Sequence, residues 1–134
     1  MKRLIILLAF ITFSFTGYSQ QQPKLQPQQQ QDVQILHPSV IVGDIAFIGQ
    51  TLKTVEIKGS EVNAYLEVEQ EFTKILTDLQ EQKKKLMDTV QVNIPLNVAQ
   101  NAITFMDRAT LTGQNAIIYK RFVDALVASA KTAK

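Results

Sequence analysis

The sequence predicts a mainly α-helical protein: a small bundle of three to four helices with one long helix over residues 60–89, preceded by a disordered linker rich in glutamine and proline. Two observations predict this class. Apolar residues after residue 59 recur at intervals of three and four, and residues 20–32 are almost entirely polar. We expect a cleavable signal peptide (1–19), a linker (20–32) and a single helical domain (33–134).

The first nineteen residues have the features of an export signal. A basic start, Lys2 and Arg3, precedes twelve uncharged and mostly apolar residues, 4–15. This run is shorter than the about 20 residues that span a bilayer. Gly17 and Ser19 are small residues spaced as signal peptidase requires, so cleavage after Ser19 is expected. Tyr18, Ser19 and Gln20 resemble the signal ends of exported proteins of Gram-negative bacteria, in which a small residue is followed by glutamine. An uncleaved membrane anchor and a buried N-terminal helix are the alternatives.

Removal of the signal changes the charge of the protein. The whole chain has 14 basic and 12 acidic side chains, and the loss of Lys2 and Arg3 leaves 12 of each. A neutral mature protein gives no electrostatic basis for binding nucleic acid or anionic lipid. No cysteine follows the apolar run, so we expect no lipid anchor. The predicted location is the periplasm or the exterior, without a stable membrane anchor after cleavage.

The segment after the signal is of low complexity. Residues 20–31 contain eight glutamines and two prolines, and Leu25 is their only apolar side chain. Such a segment cannot bury enough apolar surface to offset the entropy of ordering. It is expected to be a flexible tether, although glutamine runs can also self-associate.

The long helix is predicted from one apolar stripe. Neither glycine nor proline occurs between Ser60, a suitable N-cap, and Thr89. Acidic residues lie early and Lys83–Lys85 lie late, as the helix dipole favours. The lysines are expected to form a solvated last turn or a docking patch for an acidic partner. The stripe consists of Val62, Tyr65, Phe72, Leu76, Leu79, Leu86 and Val90.

Two further helices and one ambiguous segment complete the domain. A helix is expected after Pro95 and another after Gly113, because apolar residues recur there at three and four. For residues 33–57 we predict a helix from Ser39 to Thr54, while a short strand over 54–57 is the alternative. Two segments have a weak internal similarity with the same spacing: Ile57, Gly59, Val62, Tyr65 and Leu111, Gly113, Ala116, Tyr119. Only the glycine and the tyrosine are identical, so we do not predict a repeat.

The residue types present exclude several common kinds of catalytic and metal site. Without cysteine and with His37 as the single histidine, the chain has neither a Cys-His pair nor the usual zinc ligands. Glu67 and Glu71 lie one helical turn apart, but an open acidic helix gives no reason for them to be desolvated. We therefore expect no enzyme, no metal site and no cofactor.

The predicted length of the long helix suggests a function. A 100-residue domain is roughly 34 Å across, whereas a 30-residue helix is about 45 Å long. Either the helix breaks near Gln82, or its last two turns, with Leu86, Met87 and Val90, extend beyond the domain and contact a second copy or another envelope protein. This hypothesis describes a non-catalytic interaction protein, with contact residues Phe72, Leu76, Leu79, Lys83, Leu86 and Val90. The alternative is a small binder of a peptide, glycan or other ligand, built around the second helix and Tyr119.

Overall fold

A computed structural model describes residues 33–132 of the chain. The expected signal peptide (1–19) and linker (20–32) lie outside the described residues. Helices account for most of the described part, which confirms the mainly α-helical class. The elements in chain order are β1 (Ile35–Leu36), β2 (Ser39–Ile41), α1 (Val42–Leu52), a 3-10 turn (Gly59–Glu61), α2 (Val62–Glu81), β3 (Thr89–Gln91), β4 (Ile94–Pro95), α3 (Leu96–Met106) and α4 (Gly113–Thr132).

The four short strands form two small antiparallel sheets of two strands each, which continue one another as a single ribbon. β1 pairs with β4 and β2 pairs with β3, and the residue numbers of every opposed pair add to 130, so both pairs share one register. The Val92 N–H donates to the Pro38 carbonyl between them, at 3.1 Å. Because opposed residues lie on the same face, one face of the ribbon enters the core. Its buried side chains are Leu36, Pro38, Val40, Val90, Val92 and Ile94.

The described chain consists of two halves with the same order of elements. Each half has two short strands, an 11-residue helix and a 20-residue helix. Equivalent residues lie 54 positions apart, as Val42 and Leu96 do at the starts of α1 and α3. The Val42 N–H donates to the Asp88 carbonyl (3.0 Å), and the equivalent Leu96 N–H donates to the Gln34 carbonyl (2.8 Å). Exchanging the two halves therefore reproduces the ribbon and its terminal hydrogen bonds.

The similarity around the two glycines belongs to this repeat. Gly59 and Gly113 are 54 positions apart and begin the helical segments that contain α2 and α4. The expectation that the similarity was too weak to mark a repeat was therefore wrong. Equivalent positions are buried in both halves even where the residues differ. Examples are the pairs Ile45 and Ala99, Leu52 and Met106, and Val68 and Phe122.

The two long helices pack differently against the ribbon. α2 packs against α1 and α3, whereas α4 packs against α1 and against strands β1 and β2. The His37 N–H donates to the Ser129 hydroxyl of α4 at 2.7 Å, and Ser129 is buried. α4 therefore covers the outer edge of the side of the ribbon that β1 and β2 form. Across the core, the rings of Phe72 and Phe122 join α2 to α4 with centroids 6.0 Å apart.

The predicted helix from Ser39 to Thr54 is correct only in its middle. Residues Ser39–Ile41 form β2, and α1 then runs from Val42 to Leu52. β-Branched residues favour an extended chain, and Val40 pairs opposite Val90, a partner 50 positions away that a local pattern does not reveal. The alternative strand over 54–57 does not form either, because the chain leaves α1 through turns closed by the Thr54 N–H to Thr51 carbonyl bond of 2.9 Å.

The predicted long helix over 60–89 is shorter at both ends. At its start the Lys58 N–H donates to the Glu61 carboxylate at 3.0 Å, and α2 begins at Val62 rather than after a Ser60 cap. At its end α2 stops at Glu81, with Gln82 as the C-cap, which confirms the alternative of a break near Gln82. A helix of 20 residues is about 30 Å long, so it does not extend beyond a domain of this size, and that part of the case for self-association is lost.

Backbone hydrogen bonds explain the end of α2. The Lys83 N–H donates to the Gln80 carbonyl (2.9 Å), the Lys84 N–H donates to the Leu79 carbonyl (3.0 Å), and Lys83 adopts a φ of 56°. This is the Schellman arrangement, which places a left-handed residue just beyond the helix and usually takes glycine there. Because lysine rather than glycine occupies this position, the sequence pattern does not show that the helix ends here.

Replacing Lys83 by glycine is expected to stabilise the protein by about 1 kcal/mol, because glycine adopts the left-handed conformation without the clash of a Cβ atom. Urea unfolding followed by circular dichroism measures this change. Lys84→Gly is the matched control, since Lys83 is the only non-glycine residue with positive φ in residues 33–132. Equal effects of the two substitutions would contradict the assignment of strain to Lys83.

Candidate interaction surface

The six predicted contact residues do not share one surface. Three of them are in the core: Phe72 and Leu79 on the inner face of α2, and Val90 in β3 opposite Val40. Leu76 is half-buried, and its methyl lies toward Gly49 of α1. The remaining two, Lys83 and Leu86, are exposed in the connection between α2 and β3. The predicted apolar stripe is thus occupied by the protein's own core, and only these two residues remain available to a partner.

The connection after α2 presents basic and apolar side chains together. We call residues Lys83–Met87 the basic turn. The side chains of Lys83, Lys84 and Lys85 are exposed, and they are followed by Leu86, 64 % exposed, and Met87, 87 % exposed. Met87, which is not among the six predicted contact residues, is the most exposed large apolar residue of the described chain. The sequence did not reveal that Met87 is exposed. Its exposure depends on where α2 ends, and no glycine marks that end.

Backbone hydrogen bonds hold the basic turn in place. The Gly43 N–H of α1 donates to the Leu86 carbonyl at 2.8 Å, so the first turn of α1 binds the turn directly. The Lys85 N–H donates to the Asp88 carboxylate at 2.8 Å, and the Asp88 N–H donates to the Lys85 carbonyl at 3.0 Å. These bonds close the turn on itself. Leu86 and Met87 are therefore presented by a fixed backbone.

Gly43 is required by this close approach. A Cβ atom at position 43 would lie 3.0 Å from the Leu86 carbonyl oxygen, which is tighter than ordinary van der Waals contact. Any larger residue must move either α1 or the basic turn. The glycine that weakened the sequence-based prediction of α1 thus serves its contact with the turn.

A groove adjoins the basic turn on one side. It has a volume of about 430 Å³ and lies between α2 and the outer side of the β3 strand. Ile75 and Leu79 contribute its apolar surface from the helix, and residues 89–93 form the opposite wall. Charged side chains of both signs lie along its helical rim, among them Glu71, Lys74, Asp78 and Lys84.

Two ion pairs connect the helices elsewhere. Arg121 of α4 donates from Nε and Nη2 to the two carboxylate oxygens of Asp44 in α1, both at 2.6 Å, and Asp44 is buried. Arg108, just after α3, donates to both oxygens of Glu61 at 2.7 and 2.6 Å. Hydrogen bonds from Arg108 and from the Lys58 N–H lower the pKa of Glu61 from an ordinary 4.5 to about 2.

The Glu61 interaction is expected to make stability depend on pH in the acid range. Because the folded pKa is lowered, its contribution is complete above pH 4.5 and is lost as the pH falls through about 2. The difference in melting temperature between the wild type and Glu61→Gln should therefore be largest above pH 5 and should shrink toward pH 2. Thermal unfolding at half-unit pH steps tests this, and a constant difference would contradict it.

The residues of the alternative ligand site are engaged within the fold. The Tyr119 hydroxyl lies 3.0 Å from the Asp107 carboxylate and 3.4 Å from the Ile103 carbonyl. Burial, followed by its hydrogen bond to Asp107, raises the pKa of Tyr119. From α3, the Asn97 side chain donates to Glu67 at 2.8 Å. The structure therefore shows interhelical contacts at these positions.

The structure also shows where the residues considered for catalysis or metal binding lie. The His37 Nδ1 lies 2.7 Å from the Asn93 side-chain oxygen on the exposed face of the ribbon. Glu67 accepts a hydrogen bond from Asn97, and no residue of the described chain forms hydrogen bonds with both Glu67 and Glu71. Within residues 33–132 there is no group of three or more histidine, cysteine, aspartate or glutamate side chains placed to hold a metal ion.

None of the helices in the described part of the chain is both long and apolar enough to cross a membrane. Comparison with protein-family models, with curated proteins and with solved structures gave no match.

Proposed function

We propose that this chain is an exported, non-catalytic interaction protein that binds an acidic surface of another envelope protein through its basic turn. The observation that carries the proposal is the exposure of Leu86 and Met87 on a turn whose backbone is fixed by α1. A fixed turn loses little conformational entropy when it is bound, so its apolar side chains contribute fully to affinity.

Charge favours a foreign partner over a second copy. Lys83, Lys84 and Lys85 are exposed, and no salt bridge engages them among the described residues. A symmetric contact between two copies would place three lysines against three lysines, which is unfavourable. An acidic partner would instead pair with the lysines while it covers Leu86 and Met87.

The test is site-specific photo-crosslinking in the cells that produce the protein. A photoreactive amino acid at position 87 is expected to give one defined adduct, whereas the same group at position 117 is expected to give none. Ile117 is the matched control because it is a 66 % exposed aliphatic residue on a different element, α4. The partner identified in this way is then purified for binding measurements.

Binding of the purified partner should have two properties. Reversal of the three lysines to glutamate should weaken the dissociation constant at least tenfold, and rising salt should weaken it progressively. Light scattering over a hundredfold dilution should show a monomer of the chain alone. An absent adduct, an adduct with a second copy, or binding that is unaffected by the lysine reversal would each overturn the proposal.

A further inference from the structure

The two outer edges of the ribbon are treated differently by the fold. The alternation of the ladder can be read from its hydrogen bonds: residues 38 and 92 bond to each other across the ribbon, as do 42 and 88. In the β3 strand, even-numbered residues therefore direct their backbone groups toward the partner strand, and odd-numbered residues direct theirs outward. Thr89, Gln91 and Asn93 thus present a row of backbone groups on the outer edge of the β3 strand.

The equivalent edge of the other strand is covered by α4. There the outward N–H of His37 donates to the Ser129 hydroxyl at 2.7 Å. The repeat of 54 positions makes Gln91 the counterpart of His37 and Ile75 of α2 the counterpart of Ser129. Both counterparts on the helices are buried, but isoleucine has no hydrogen-bonding group. One edge is therefore capped by a hydroxyl, and the other faces an aliphatic side chain across the groove.

We propose that this groove binds an extended peptide segment of another protein, which pairs as an added strand with the outer edge of β3. The edge from Thr89 to Asn93 offers alternating donors and acceptors over five residues, so a segment of about five residues is required. With its central residue opposite Val90, which is on the buried face of the ribbon, the segment would direct an aliphatic side chain toward Ile75 and Leu79. The site is distinct from the exposed tip of the basic turn, and neither proposal depends on the other.

The outermost charges of the groove, beyond Lys74 and Asp78 on the same rim, favour antiparallel pairing for a segment that starts with a basic residue and ends with an acidic one. The chain turns back between α2 and β3, so Lys84 lies toward Thr89 and Glu71 lies toward Asn93. A segment antiparallel to β3 begins near Asn93 and ends near Thr89. A basic residue at its start would then face Glu71, and an acidic residue at its end would face Lys84.

The probe is an acetylated and amidated peptide of sequence KTVTE, titrated into the ¹⁵N-labelled protein comprising residues 20–134. Amide signals of Thr89, Gln91 and Asn93 should shift with saturable binding, and hydrogen exchange of the Gln91 amide should slow at least tenfold at saturation. Two peptides serve as controls. KPVPE lacks the amide hydrogens of residues 2 and 4, which lie opposite Gln91 and Thr89 and would bond to the edge, so it should bind at least tenfold more weakly. ETVTK meets like charges in the same antiparallel orientation and should bind at least threefold more weakly.

Protein variants complete the test. Gln91→Pro removes one outward N–H, which an edge strand tolerates, and should abolish binding. If that variant does not fold, Glu71→Lys weakens KTVTE at least threefold and favours ETVTK. Met87→Ser should leave peptide binding unchanged, which separates this site from the basic turn. Equal binding of KTVTE and KPVPE, shifts confined to other residues, or no shift at millimolar peptide would overturn the proposal.

Discussion

Phe72→Ala is expected to destabilise the protein by about 3–5 kcal/mol, the range for removal of a buried aromatic side chain. Phe72 is 2 % exposed and its ring contacts that of Phe122, so the substitution leaves a cavity between α2 and α4. A domain of this size has a total stability of about 5–15 kcal/mol. Urea unfolding followed by circular dichroism should therefore show a large loss of stability or an unfolded protein at 25 °C.

This experiment also separates the core from the interaction surface. Leu66→Ala is the matched control on the same helix, because Leu66 is 43 % exposed, and it should cost less than about 1 kcal/mol. Leu86→Ser should leave stability unchanged within about 0.5 kcal/mol and should weaken partner binding. If Phe72→Ala instead reduced partner binding without loss of stability, the placement of Phe72 in the core would be wrong.

The helices were predictable where local signals determine them. Pro95 and Gly113 mark the starts of α3 and α4, and the apolar spacing that follows each of them is the spacing that the fold buries. The start of α1 was harder to predict from the sequence. Gly43 reads as a helix-weakening residue, and its purpose lies in the approach of the Leu86 carbonyl, which belongs to a segment more than 40 positions later.

The ribbon and the repeat could not be predicted from local patterns. Each strand has at most three residues, and Val40 finds its partner Val90 only when the halves come together. The repeat is carried by burial, since Val68 and Phe122 occupy equivalent positions with very different volumes. Of the predicted contact residues, Phe72 and Leu79 have a periodicity that is the same for a core as for an interface, so only the structure distinguishes the two.

Arg121→Met is expected to cost about 2–3 kcal/mol. The Asp44 carboxylate has a side-chain exposure of 5 %, whereas the Arg121 side chain is 51 % exposed. Loss of the arginine leaves a buried carboxylate without its bidentate partner, which is strongly destabilising in fully buried pairs, and the partial exposure of Arg121 reduces that effect. Methionine retains most of the aliphatic contacts of the arginine side chain. The measurement is again urea unfolding at neutral pH.

The two halves of this ion pair should respond unequally. Asp44→Ala leaves only a half-exposed guanidinium, which water can solvate, so its cost should be about 1 kcal/mol, smaller than that of Arg121→Met. The double variant should be more stable than Arg121→Met alone, because it removes the unpaired buried charge. Lys120→Met is the control: it breaks the exposed Lys120–Asp124 pair one residue away, where the expected change is below about 0.5 kcal/mol. Equal costs for Lys120→Met and Arg121→Met, or a larger cost for Asp44→Ala, would show that burial of the carboxylate does not govern the stability of this contact.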